Sequence, residues 1–355
     1  MTTTESPPAA IDQAKLDAFI GKAVGDWGTL TSATLVVIGD KLGLYTALAE
    51  AGPATPNELA QRTGTIERYV RPWLINQAAG GYVDYDAVTA RFRLPPEHAA
   101  ALGVVVGAYH LFTAAMKAEP RITQAFRTGE GMLWGEHDPA LFTGTENFFR
   151  PGYEQALVQS WIPALDGVEA RLQAGGSVAD VGCGHGASTL IMARAYPRSR
   201  FVGFDNHQPS IVRARQAASE AGVGDRVSFQ LAAADSYPAP LSGYDLVAFF
   251  DCLHDMGDPV GAIGHAASTL AEDGTVLLVE PMAGERVEDN LNPLGRMCAG
   301  ASVLICTPHA VAEGGAALGT LATEAALREV VAAGGLSRFR RATETPFNRV
   351  FEARR

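Results

Sequence analysis

Cysteine is scarce in this 355-residue chain. The four present, Cys183, Cys252, Cys298 and Cys306, form no C-x-x-C pair and no Cys/His spacing of the kind that holds a metal. A disulfide framework is thereby excluded, no metal is expected, and reduced thiols in a reducing compartment are the simplest reading. Basic charge is also short: 28 Lys and Arg stand against 39 Asp and Glu, a formal net charge of −11, which argues against broad contact with nucleic acid or an anionic membrane. The first residues lack the basic segment and apolar core of a signal peptide. No apolar run reads as long enough to span a membrane. The Thr-, Ser- and Pro-rich start reads as a disordered tail over 1–14. What remains is an ordinary globular composition, long enough for two domains, expected in the cytoplasm.

Glycine is placed with more purpose. Val178, Ala179 and Val181 give a short apolar strand ending in Asp180-Val181-Gly182-Cys183-Gly184-His185-Gly186. A helix-forming run, Ala187 to Tyr196, follows. Three missing β-carbons let a ligand lie on bare backbone, with the free N–H groups of the helix start aimed at it. A second strand, Arg200 to Asp205, puts an acid about 20 residues past the glycines, where it can bond both hydroxyls of a ribose. This is the pattern of a nucleoside site on a doubly wound α/β sheet. Gly182, Gly184 and Ala187 also satisfy the dinucleotide pattern G-x-G-x-x-G/A, so NAD stays open on the glycines alone. Asp180 discriminates: a carboxylate aimed into the turn repels a pyrophosphate and suits a ligand with an ammonium group.

The stretch D-x-G-x-G-x-G resembles the first motif of class I S-adenosylmethionine (SAM)-dependent methyltransferases. That resemblance implies SAM as cofactor, with S-adenosylhomocysteine (SAH) as product. It also implies donor-site roles for Asp180, Gly182, Cys183, Gly184, Asp205, Asn206, Asp235 and Ser236. Asp235, after the strand Val227 to Leu231, matches an acid that receives the adenine amino group. The fourth strand, Tyr244 to Phe250, ends in Asp251-Cys252-Leu253-His254-Asp255-Met256, and Phe250, Asp251 and Cys252 fall on the cofactor side.

Leu253-His254-Asp255 is similar to the His-Asp pair of small-molecule O-methyltransferases of the plant and polyketide-tailoring type. There the His is the general base, so His254 is the candidate here. Glu280, at the end of the fifth strand, Thr275 to Glu280, fits the acid that flanks it. Met256 stands where those enzymes usually have Trp. An alcohol or neutral phenol needs such a base, and imidazole can take a proton at neutral pH. The chemistry needs no metal.

Upstream, helices with caps at Thr55 and Gly64 and a run Ile66 to Ala79 containing Pro72 precede Gly80-Gly81 and a hairpin, Tyr82 to Tyr85 with Arg91 to Leu94. The first helix is expected from Leu30 to Glu50. Three helices and a hairpin make a winged helix over 15–100. From Leu30 to Ala100 there are six Lys/Arg and seven Asp/Glu, a poor phosphate footprint. In the enzymes resembled, a similar domain builds the homodimer, and that partner is expected instead of nucleic acid.

A helical connector, 101–172, carries Trp134, His137, Phe142, Phe148 and Tyr153. The resemblance implies that this segment folds over the SAM pocket. His137 and Tyr153, with polar tips, are the candidates for pocket contact; Phe142 and Phe148 read as packed core. His185 reads as pointing outward, and His98, His110 and His265 as surface or satisfied core positions. Over 173–355 the cofactor domain closes with a helix and mobile loop near Glu313-Gly314-Gly315, a helix Thr323 to Ala333, and a strand pair Phe339 to Thr343 and Arg349 to Ala353. The expected fold is thus a Rossmann-like methyltransferase sheet with an antiparallel C-terminal hairpin, behind a helical, winged N-terminal domain. The expected function is SAM-dependent O-methylation of a small-molecule acceptor. The alternatives are N- or C-methylation on the same fold, or a SAM- or SAH-binding winged-helix regulator.

Overall fold

Asp12 starts the first element. Its carboxylate accepts the N–H groups of Ala14 and Lys15 and caps a 29-residue helix, Gln13–Lys41. In this computed structural model, which describes residues 11–315 and 317–355, the expected tail thus ends at Asp12; its first ten residues lie outside the described range. The helix starts well upstream of the expected Leu30. Leu16, Phe19, Ile20, Val24 and Trp27 recur there at helical spacing and are all exposed, an apolar stripe that meets no core among the described residues.

The chain divides into two compact units after Tyr109. In the first, Thr55 and Glu58 form a reciprocal capping box at the start of Pro56–Thr63, and Gly64 closes it at φ +64°. The helix Glu67–Ala79 accommodates Pro72 in its interior. The strands β1 (Asp84–Asp86) and β2 (Arg91–Arg93) pair antiparallel as the wing. Leu48, Leu59, Val70, Trp73, Leu74 and Phe92 form one core, and Trp73 Nε1 donates to the Leu35 carbonyl at 2.8 Å.

The helix Pro96–Ala115 crosses the expected boundary at residue 100 and carries the division between the units. Contrary to expectation, the helical stretch Pro96–Thr128 is long and apolar enough to cross a membrane by length and composition alone, with mean hydropathy 1.6. Leu111, Ala114, Ala115, Ala118 and Ile122 from it are buried in protein cores, while Val104, Val105 and Met116 are exposed and 28% of its most apolar window is buried.

The second unit is built on a seven-stranded sheet of order β5-β4-β3-β6-β7-β9-β8. Its strands are β3 (Ser177–Val181), β4 (Arg200–Asp205), β5 (Val227–Leu231), β6 (Tyr244–Phe250), β7 (Leu270–Pro281), β8 (Arg338–Glu344) and β9 (Asn348–Arg354). The first five are parallel; β9 pairs antiparallel with β7 and with β8. The expected sheet and its terminal hairpin are therefore present. Val178–Val181 and Leu246–Phe250 are buried without alternation because helices cover both faces. The strand order reverses at β3, whose neighbours are β4 and β6, and an open α/β sheet offers its binding crevice at such a point.

Candidate functional site

Gly182 and Gly186 have φ of +74° and +81°, a region that L side chains rarely adopt. A β-carbon on Gly182 would stand 2.7 Å from Cys252 Sγ, and one on Gly186 would stand 2.5 Å from the Phe229 ring. Glycine is needed here for close packing of the turn itself. Gly184 differs: a β-carbon there meets nothing within 4 Å. Its backbone faces open space, on the wall of a cleft of about 530 Å³.

The cleft lies at the carboxyl ends of β3, β4 and β6. Val181, Gly182, Cys183, Gly184, Asp205, Asn206, Asp235, Phe250, Asp251, Cys252 and Tyr153 all line it, so the structure gathers most of the sequence-predicted set around one cavity. Five candidates lie off its wall; Glu280, fully buried, is one of them. His137 is buried with neither ring nitrogen bonded, and burial lowers its pKa. Ser236 is exposed beside the cleft. Asp180 is buried; Oδ2 accepts the hydroxyls of Ser188 and Thr189, tying the strand end to the following helix, and Oδ1 has no partner. Its carboxylate does not enter the turn, and burial pushes it up to about 6. His254, only 3% exposed, sits behind the wall formed by its neighbours Asp251, Cys252 and Asp255.

Asp205 braces the turn: Oδ2 accepts the Gly184 N–H and Oδ1 the His207 N–H, each at 2.8 Å. Burial raises its pKa despite those bonds. Asn206 is exposed and donates to Glu313 at 3.3 Å. Glu313 also accepts the Gly257 N–H at 3.0 Å, so the loop expected to be mobile is tied across the cleft. His185, expected to face outward, faces the cleft: Nδ1 meets Glu146 at 2.8 Å. Burial opposes the Glu146 charge, but His185 and Arg150 outweigh it and hold the carboxyl at about 2. Phe142 lines the cleft instead of resting in a closed core, against Trp134 and the His207 ring. His98 and His265 bond the carbonyls of Tyr82 and Tyr237.

Behind the wall, His254 Nδ1 meets Glu280 Oε2 at 2.6 Å, both side chains buried. Burial opposes a charged imidazole, but the Glu280 carboxylate prevails and raises the His254 pKa well above its usual value. A π-helical turn over Ser302–Cys306 brings the Cys306 thiol within 4.8 Å of a His254 ring nitrogen. Asp251 adopts φ +52°, accepts Asn348 Nδ2 at 2.7 Å and the Tyr153 hydroxyl at 3.4 Å, and is pushed up to about 8 by burial and then by Glu280. Asp255 is pushed up to about 6 by burial. Glu146, Cys306, Glu313 and Asn348 were not legible as site residues, because each arrives from a distant element with no motif around it.

Seven cleft-lining residues are Asp or Glu, and none is Lys or Arg. Such a wall repels a pyrophosphate and accommodates a cation.

Comparison with known proteins agrees with this architecture. Residues 31–103 match the family model of the Rv2258c-like winged HTH domain, and residues 172–328 match that of a methyltransferase domain. The 27-O-demethylrifamycin SV methyltransferase of Amycolatopsis mediterranei is 35% identical over 107 residues, 30% of this chain and 39% of that protein. A protein of Oryza sativa subsp. japonica described as "Probable tocopherol O-methyltransferase, chloroplastic" is 31% identical over 182 residues, 47% of this chain and 49% of that protein. The chain thus spans less than half the length of these curated relatives. Among solved structures, mitomycin 7-O-methyltransferase superposes with TM-score 0.68 at 18% identity, covering 97% of this chain and 100% of that one. Human N-acetylserotonin methyltransferase in complex with SAM superposes with TM-score 0.67 at 18% identity, covering 100% and 99%. A winged HTH domain thus precedes a methyltransferase domain in this chain, and the solved structures share its fold.

Proposed function

We propose that this protein transfers the methyl group of SAM to an oxygen of a small-molecule acceptor, with His254 as general base. The observation that carries the donor assignment is the cleft wall, with its seven acidic side chains, no Lys or Arg, and the open backbone of Gly184. The unpartnered, buried Asp180 Oδ1 adds a further negative site behind the turn. These features fit a ligand with a sulfonium and an ammonium group and no phosphate. When bound, SAM supplies an activated methyl electrophile. The relatives named as O-methyltransferases support oxygen as the acceptor atom.

The chain's own work is then to orient the acceptor, exclude water and accept one proton. Asp205 holds the glycine turn in place and is the group to meet the ribose hydroxyls; Asp235, exposed at the cleft edge, meets the adenine side. Phe142, Phe149 and Tyr153 give the apolar wall. Glu280 fixes Nδ1 of His254 and favours the imidazolium, so Nε2 accepts the acceptor proton strongly once its resting proton has passed to solvent.

Calorimetric titration of SAM, SAH and NAD tests the donor assignment. SAM and SAH should bind, the Asp205→Ala variant should lose both, and NAD should give no heat. Preference for NAD would overturn the reading. Product analysis of an acceptor screen separates O- from N- or C-methylation. We further propose a cytoplasmic homodimer joined through the N-terminal unit, on the exposed apolar residues Phe19, Ile20, Val24 and Trp27; its mass in solution tests this. The winged HTH match favours a second reading, a SAM-sensing DNA-binding regulator. Against it, Arg71 on Glu67–Ala79 is paired with Glu67, and exposed Tyr69 and Ile75 share that helix. Salt-dependent binding to duplex DNA would support the regulator.

A further inference from the structure

His254, Asp255 and Cys306 bring an imidazole nitrogen, a carboxylate oxygen and a thiol sulfur within 4.8 Å of one another. Glu280 engages Nδ1 of His254 at 2.6 Å, so Nε2 is the nitrogen left to ligate. A ligating histidine in a zinc site gives its other ring N–H to a carboxylate in this way, which fixes the tautomer and raises basicity. With bonds of about 2.0–2.3 Å, a tetrahedral zinc ion holds its ligand atoms about 3.5 Å apart, within reach of this cluster. The thiol comes from a π-helical turn, a local distortion that recurs at functional sites.

The surrounding charge favours a cation. Glu280 Oε1 is buried without a partner, and the buried Asp251 carboxyl is close enough for its pKa to respond to Glu280 and His254. Arg349, the cross-strand partner of Glu280, directs Nε and Nη2 to the carbonyls of Pro281 and Ala322 and makes no hydrogen bond to Glu280. His309 and Glu313 are the other titratable groups that act on Asp255. Unpartnered carboxylates in a low-dielectric setting are costly, and a divalent ion offsets that cost. Asp255 lines the cleft, which gives an ion its route in.

We propose that His254 Nε2, Cys306 Sγ and the Asp255 carboxylate form a three-ligand site for a thiophilic divalent cation of the zinc type, with Glu280 orienting His254 and the fourth position open toward the cleft. Cys306 binds as thiolate, and its proton passes to solvent. The ion takes the lone pair that would receive an acceptor proton, so the metal-bound and base-competent states exclude each other. The site goes beyond the methyl-transfer reading and is read out without donor or acceptor.

The test is anaerobic titration of the reduced, chelator-treated full-length protein with Co²⁺, followed by absorption. A thiolate-to-cobalt charge-transfer band should grow and saturate at one equivalent, and Zn²⁺ should displace it. Cys306→Ser should abolish the band while keeping the far-ultraviolet circular dichroism and the melting temperature. Asp255→Asn, on the cleft wall, should keep the band but weaken binding. Glu280→Gln should weaken binding about 10–100-fold. Absence of a saturable thiolate band in the wild type, or a band that survives Cys306→Ser, would overturn the site.

Discussion

Two of the histidine–carboxylate pairs in the second unit look alike in distance: 2.8 Å for His185–Glu146 and 2.6 Å for His254–Glu280. Their surroundings differ. Glu146 shares its charge between His185 and Arg150, and its carboxyl is held at about 2. Charge balance is complete there, and the pair fastens the helix Ala140–Ala156 to the glycine turn. Glu280 keeps one oxygen unpartnered, beside Asp251 and Asp255, whose carboxyls burial drives upward. The same pair of residue types is thus a clasp in one place and an unbalanced, reactive centre in the other. Local charge count, more than contact distance, separates structural from chemical histidines.

The comparison breaks most sharply under alanine substitution. His254→Ala should lower kcat for the true acceptor by about 10²–10⁴-fold with SAM affinity kept, the range typical of a lost general base. His185→Ala should leave kcat within a few-fold. Steady-state kinetics with calorimetric SAM binding reads both, and equal losses would erase the distinction drawn here. Glu280→Gln should cost about 10-fold in kcat by loosening the tautomer of His254, whereas Glu146→Gln should act on stability, by about 1–2 kcal/mol in urea unfolding.

A pH series sharpens the contrast further. Asp180 rises to about 6 in the fold from an ordinary 3.8, so the native state holds its proton more tightly. Its contribution is full below about pH 4 and is lost as pH rises through 6, a change on the order of 3 kcal/mol. Asp180→Asn, which mimics the protonated acid, should flatten that slope. Glu146 has the opposite sign: lowered to about 2 from 4.5, it stabilises above the ordinary value and loses that effect as pH falls through 2. The smallest effect expected is at Thr55→Ala, about 1 kcal/mol from the lost capping box, read as a lower melting temperature.

Much of this was legible in the chain. The strands β3 to β6 fall within a residue of where the sequence places them: β3 and β6, covered on both faces, are continuously apolar, and the edge strand β5 alternates. Thr55 caps its helix as expected because its hydroxyl accepts an N–H one turn away, a local matter. The site was legible where one motif holds it: Gly182 to Gly184, Asp205 and Asp251 meet around one cleft. It failed where direction mattered. Asp180 turns to Ser188 and Thr189, and His185 turns to Glu146, because partners from other elements decide where a side chain points.

The sequence by itself determined the sheet, its glycine turn and the excess of acid, because these rest on periodicity, missing β-carbons and net composition. The tertiary structure alone decided which acids go unpartnered and which thiol meets His254. Cys306 lies more than 50 positions from His254, and no spacing rule spans that gap. Only the packing of the segment Pro293–Ala312 against the end of β6 brings sulfur, imidazole and carboxylate within one coordination sphere, where burial sets their charges.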